Sequence, residues 1–118
     1  MTVGIVGLGL IGGSFAKAYS ENDDHKVIAY DIDEQAMQAA YEQKLIDGKL
    51  DENNISSCDL VLVALYPQAA IDYIEKMAPH IGDKTMVIDC CGVKKFVCDK
   101  CFKIAKENSF TFIGGHPM

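Results

Sequence analysis

The chain has 118 residues, 49% of them hydrophobic and 24% charged, with a formal net charge of -6. That is the size of one domain with apolar material for one core, which argues against a disordered chain. All eleven basic residues are lysines. An acidic chain with no basic stripe is a poor partner for nucleic acid or an anionic membrane, and one without arginine lacks the usual bidentate clamp for carboxylates.

Residues 1–10, MTVGIVGLGL, carry no cationic leader, and glycines break the apolar run far short of a membrane span. A cytoplasmic protein is expected. Residues 2–6 read as a buried strand and 7–13 as a glycine-rich turn. A helix is expected over 11–20, with Phe15, Ala16 and Tyr19 at helical spacing. Polar residues 21–24 close the turn, and 26–30 form a second strand that ends at Asp31. A second helix is expected over 33–44, with Asp33 as N-cap and Ala36, Met37, Ala40 and Tyr41 on its apolar face.

Residues 45–57 are the least regular part, with at most one short strand near Lys49. The run DLVLVAL at 59–65 reads as a buried strand. Pro67 suits the first turn of a helix that continues to Met77. Pro79 and Gly82 mark a loop. Then come a strand at 85–89, a helix at 93–106, a strand at 110–113, and the turn Gly114-Gly115-His116-Pro117-Met118.

Strands alternate with helices, and the strands are continuous apolar runs. That is the pattern of a parallel sheet covered on both faces. The expected fold class is α/β, a doubly wound, mostly parallel sheet of Rossmann type, with residues 1–118 forming one dinucleotide-binding domain. A strand that delivers Gly-Gly-His-Pro to its carboxyl end normally faces a ligand, so a second domain is expected beyond residue 118.

Gly7-Leu8-Gly9-Leu10-Ile11-Gly12 is G-x-G-x-x-G between a predicted strand and a predicted helix, and Asp31 follows 19 residues after Gly12. Strand, loop, helix and acid together make the dinucleotide fingerprint. Gly7 permits the tight turn, Gly9 lets pyrophosphate approach the backbone, and Gly12 allows close packing of helix on sheet. The amides of Leu10 and Ile11 sit at a helix N-terminus, which favours an anion. Asp31, with Ile32 after it, marks the ribose end. A carboxylate there accepts hydrogen bonds from the ribose hydroxyls of NAD, whereas the 2′-phosphate of NADP would meet like charge. At ~4 Å and an effective dielectric of ~20, each such unit pair costs roughly 4 kcal/mol. Asp33 and Glu34 add to the repulsion, and no lysine lies in the next nine residues. The expected cofactor is NAD.

The stretch from Val3 to Ser14, then Asp89 with Val93-Lys94, then Gly114-Gly115-His116-Pro117-Met118, resembles prephenate dehydrogenase and its arogenate-using relatives. The likeness covers nearly the whole chain but only the N-terminal half of such an enzyme. It implies oxidative decarboxylation of prephenate to 4-hydroxyphenylpyruvate in tyrosine biosynthesis, with hydride transferred to NAD. It also implies that His116 hydrogen-bonds the substrate hydroxyl and takes its proton, a task that suits an imidazole at neutral pH. Leu65, Tyr66 and Pro67 would border the cofactor. Many members of the family carry a serine before the Val-Lys pair. This chain has Gly92 there, so that side-chain hydrogen bond is missing unless water or Cys91 replaces it. Lys94 could attract a substrate carboxylate, but is as well explained as a solvated helix-start residue.

Prephenate carries two carboxylates. In the family, a second, helical domain supplies substrate-binding arginine and most of a homodimer interface. The fragment alone is therefore expected to be inactive. Two other functions compete: a non-catalytic NAD-sensing Rossmann module, and an NAD-dependent dehydrogenase for another acid, arogenate among them. Five cysteines, two of them adjacent, do not resemble a disulfide framework. Cys98-Asp99-Lys100-Cys101 is C-x-x-C, but it lies within a predicted helix where Val97, Cys101 and Ile104 share an apolar face. Buried thiols are expected there, and no metal.

Overall fold

The computed structural model describes residues 1–22, 24–90 and 95–114, with residues 95–98 and 114 described by backbone alone. Cys91, Gly92, the Val93-Lys94 pair and the Gly115-His116-Pro117-Met118 end lie outside the described residues. Six strands form one sheet: β1 (Thr2–Val6), β2 (Lys26–Tyr30), β3 (Gly48–Lys49), β4 (Leu60–Val63), β5 (Met86–Asp89) and β6 (Thr111–Gly114). Their order is β3-β2-β1-β4-β5-β6, and every pairing among them is parallel. Four helices alternate with them: α1 (Leu10–Ser20), α2 (Glu34–Glu42), α3 (Pro67–Met77) and α4 (Lys95–Asn108).

The central strands β1, β2 and β4 are mainly apolar because both faces of the sheet are covered. Val3 and Ile5 of β1 pack with Val27 and Ala29 of β2, with Ala16 of α1, and with Met37 and Ala40 of α2. Val6 points to the other face, where Val61 and Val63 of β4 meet Ile71 and Ile74 of α3 and Ile104 of α4. Side chains alternate along each strand, so consecutive apolar residues serve two different layers.

Two helices end where the sequence gives no glycine to mark the end. α2 stops at Glu42, short of the expected Lys44, because Lys44 turns into the left-handed region at φ 58°. The Lys44 amide then donates to the Tyr41 carbonyl at 3.1 Å and the Leu45 amide to that of Ala40 at 2.9 Å. This is a Schellman ending with lysine in the place glycine usually takes. α4 runs to Asn108, past the expected 106, and Ser109 at φ 63° ends it, with the Phe110 amide bonded to the Ala105 carbonyl. The irregular stretch after α2 holds the two-residue β3 and a 3-10 turn at Ile55–Ser57. Asp51 and Asn54 organise it: each side chain accepts from the other's backbone amide, at 3.1 and 2.8 Å.

Cys58, just after the 3-10 turn and two residues before β4, is buried against Leu50 and the β1 backbone at Gly4. Burial, with Asp59 beside it, pushes its thiol from an ordinary value of 9.0 up to about 11, against a small opposing pull from Lys26. The folded chain therefore keeps this proton at a pH where the unfolded chain has lost it. The corresponding stability is fully present below pH 9 and falls as pH rises toward 11. A shift of this size is worth about 2–3 kcal/mol at most. Urea denaturation of wild type and Cys58→Ala across pH 8–11 should give a shallower decline in the variant; parallel slopes would remove Cys58 from the titration.

Candidate dinucleotide site

The chain leaves β1 at Gly7, which sits at φ 91°, a conformation glycine adopts without strain. Its amide donates to the Tyr30 carbonyl at 2.8 Å, drawing the loop against the end of β2. A Cβ at Gly7 would stand 2.5 Å from the Ala64 carbonyl oxygen, and one at Gly12 would collide with the Gly7 carbonyl oxygen. Both glycines are thus required by packing within the chain. The close approach at Gly12 is to the loop itself and to the Ala64 side chain beyond β4, a sharper constraint than helix against sheet in general.

Gly9 differs from both. A Cβ there would meet nothing within 4 Å. Its φ of -70° and ψ of -159° are extended backbone open to any residue. Nothing in the fold asks for glycine at this position, so the free space in front of it suits a ligand. Gly9 is also the N-cap of α1, with no side-chain cap and no acidic residue in the first turn. Among the described residues no side-chain acceptor competes for the leading amides of the helix, the usual state of an anion site.

Asp31 follows β2. Its Oδ2 accepts from the Leu8 amide at 2.7 Å and its Oδ1 from the Asp33 amide at 2.8 Å. Asp33 caps α2 by accepting from the Gln35 amide at 2.9 Å, as expected from the sequence. Each oxygen of Asp31 retains a further acceptor position, so it can still receive hydroxyl donors.

A cleft of about 370 Å³ opens over the loop. Gly7, Gly9, Leu10, Ile11, Gly12, Asp31, Leu65 and Tyr66 all line it, with Ala64 and Ala69. The other three cofactor-binding candidates stand apart from this wall. Leu8 acts through its amide on Asp31, Pro67 is the first residue of α3, and Ile32 lines an adjoining cleft. That second cleft, about 350 Å³, shares Asp31, Leu65 and Ala69 with the first and adds Tyr30, Asp72, Tyr73 and Lys76. Tyr30 and Tyr73 stack there with centroids 6.0 Å apart. Burial, before the nearby Cys58, Tyr30 and Asp51, raises the Tyr73 phenol above its ordinary range, so it stays protonated. Leu10 and Ile32 are 89% exposed and Tyr66 is 87% exposed. Large apolar side chains left that open around a concave surface suit the faces of a flat ligand.

Sequence reading missed the α3 contribution. Ala69, Asp72, Tyr73 and Lys76 follow i, i+3, i+4, i+7 spacing, the signature of one helix face. Their mixed polarity gave no apolar stripe to notice. No lysine follows Asp31 within nine residues in the sequence, but α3 brings Lys76 to the wall of the adjoining cleft. Among the described residues, no group of three or more His, Cys, Asp or Glu could hold a metal, and no helix is long and apolar enough to cross a membrane. Cys101 of the C-x-x-C pair is buried in the core.

Strands in this order reverse direction of growth between β1 and β4, directly above the glycine loop, and that arrangement defines the Rossmann class of nucleotide-binding domains. Over residues 15–118 the chain matches the family described as prephenate dehydrogenase, nucleotide-binding domain, and it belongs to that family. The matched region begins just after the glycine loop. Prephenate dehydrogenase of Bacillus subtilis (strain 168) is 30% identical over 99% of this chain and 32% of the relative. Among solved structures, arogenate dehydrogenase of Synechocystis superposes with a TM-score of 0.85 at 28% identity, over 99% of this chain and 41% of that one. Prephenate dehydrogenase from A. aeolicus, solved with hydroxyphenyl propionate and NAD+, gives 0.85 at 25% identity, over 100% and 42%. The chain thus spans about a third of the curated relative's length.

The three glycines should separate experimentally. Gly12→Ala is expected to lower stability by about 1–3 kcal/mol, since a backbone oxygen must move. Gly9→Ala should cost only about 0.5–1 kcal/mol, the ordinary difference at an N-cap. Thermal unfolding of both variants checks this; equal losses would mean that Gly9 too is held by internal packing.

Proposed function

We propose that this chain is the NAD-binding part of an enzyme that oxidatively decarboxylates prephenate to 4-hydroxyphenylpyruvate. The observation that carries the reading is Asp31, bonded to the glycine loop at the mouth of the cleft, in a chain of this family. Gly9 and the uncapped start of α1 offer room and amide donors for a pyrophosphate. Asp31 accepts from the adenosine ribose and opposes a 2′-phosphate. Leu10, Leu65 and Tyr66 wall the cleft and exclude water from the dinucleotide. Bound NAD supplies the hydride acceptor for the ring carbon that bears the hydroxyl. His116, assigned through the family resemblance, takes the proton from that hydroxyl, and loss of carbon dioxide leaves the ring aromatic. The described part of the chain offers no arginine for the two substrate carboxylates. Their clamp, and a homodimer interface, belong in this reading to the remainder of a longer enzyme.

Arogenate is the second substrate reading, favoured by the similarity to the Synechocystis arogenate dehydrogenase. It differs only in the group at the side-chain α-carbon, an amine in place of a keto oxygen. Steady-state rates with either substrate separate the two.

Calorimetric titration should show NAD binding at least tenfold more tightly than NADP, a difference of about 1.4 kcal/mol or more. Asp31→Ser should narrow the gap, although it also removes the bond to Leu8 and so weakens both. Equal affinities in the wild type would end the assignment of Asp31. Gly9→Ala should keep the fold while losing NAD affinity.

In an active full-length form, His116→Asn should lower kcat by ~10²–10⁴-fold while NAD affinity stays within a few-fold, because asparagine keeps reach but cannot accept the proton. Wild-type kcat should fall at low pH as the imidazole is protonated. A variant within threefold of wild type, with an unchanged pH profile, would leave His116 a structural residue.

A further inference from the structure

The second cleft continues the first in a definite chemical order. The loop and the start of α1 come first, then Asp31, then the cleft that Asp31, Leu65 and Ala69 share with the glycine-loop cleft. A dinucleotide laid along this line, as the proposed function requires, places pyrophosphate, ribose and purine in that sequence. The far cleft has apolar walls in Ile32, Leu65 and Ala69 for the two faces of a purine. Its polar groups from α3 are Asp72, Tyr73 and Lys76, of which Asp72 alone brings a carboxylate. Asp72 stands three residues after Ala69 on the same helix face.

The Asp72 carboxylate is already oriented. Gln68, one turn earlier, donates from Nε2 to Oδ1 at 3.0 Å. Among the described residues Oδ2 has no hydrogen bond. A carboxylate held in this way can only accept. Adenine presents a donor, the exocyclic N6 amine, where guanine and hypoxanthine present an acceptor carbonyl.

We propose that Asp72 is a specificity-determining residue that reads the exocyclic amine of the cofactor's purine, with Gln68 as its positioning residue. The inference rests on the NAD reading but goes beyond it: Asp31 selects against a ribose phosphate, and Asp72 selects the base. A site built around an acceptor rejects an analogue that turns a second acceptor toward it. Asp72 is exposed, so water moderates the discrimination.

Nicotinamide hypoxanthine dinucleotide differs from NAD only by a carbonyl in place of that amine and is the natural probe. Calorimetric titration of the chain should give NAD an affinity at least tenfold higher than the hypoxanthine analogue. Asp72→Asn should bring the two within about threefold. Its carboxamide oxygen can keep the Gln68 contact and so turn the amide NH2 toward the base, where it favours the carbonyl. A melting temperature close to wild type would confirm that the variant folds. Equal binding of both dinucleotides by the wild type would overturn the role of Asp72 and leave the NAD assignment intact. Discrimination that survives unchanged in a folded Asp72→Asn would also overturn it. Failure of the wild type to bind either dinucleotide would overturn both readings.

Discussion

The site depends on one carboxylate and the two charge-assisted bonds it accepts. The Asp31 carboxylate holds the Leu8 amide with one oxygen and the Asp33 amide with the other, at 2.7 and 2.8 Å. Hydrogen bonds to an ionised acceptor are roughly twice as strong as neutral ones. The first bond fixes the middle of the glycine loop to the end of β2, and the second sets the entry into α2, whose N-cap is Asp33. One side chain thus aligns the starts of two helices with the carboxyl ends of two adjacent strands. The acid read from the sequence as a ribose acceptor is a brace for the loop, and the brace leaves further lone pairs on both oxygens.

The glycines complete the constraint from the other side. Gly7 and Gly12 let the loop close on itself and on Ala64, just beyond β4. Asp31 pulls the loop toward β2 while these glycines admit it toward β4. The loop therefore spans the switch point between the two halves of the sheet, where an open parallel sheet leaves a crevice at its carboxyl edge. The cleft is a consequence of strand order, and the glycines and Asp31 decide its floor. Gly9 is free of both demands, with open space in front of it.

Much of this could be read from residue types whose physics is local. Pro67 set the start of α3, and the helix runs from Pro67 to Met77 as expected. Asp33 marked the start of α2, and the continuous apolar strands announced a sheet buried on both sides. Where the reading slipped, the cause was a residue doing another's work. Lys44 and Ser109 take left-handed conformations that normally identify glycine, so α2 and α4 ended elsewhere than expected. The α3 wall of the cleft was illegible for a different reason. Asp72 and Lys76 look like solvated helix residues until the sheet order places α3 beside Asp31. Strand order is long-range information, and no spacing along the chain encodes it.

The electrostatic balance follows from the same local geometry. The chain carries a net charge of -6 and no arginine, yet the proposed cofactor brings an anionic pyrophosphate. Most of the carboxylates are exposed, and over distances beyond about 8 Å salt screens them at physiological strength. The glycine-loop cleft presents the start of α1, worth roughly half a positive charge, where the N-cap Gly9 offers no side-chain cap. Among the described residues no cationic side chain lines the glycine-loop cleft, and the attraction they offer an anion there is that of backbone groups held in place. Backbone donors work only when the loop is ordered, and Asp31 orders it. The Asp31 carboxylate holds that loop through the Leu8 amide, beside a helix start whose amides suit an anion, which is how an acidic residue and an anion-binding position can share one loop.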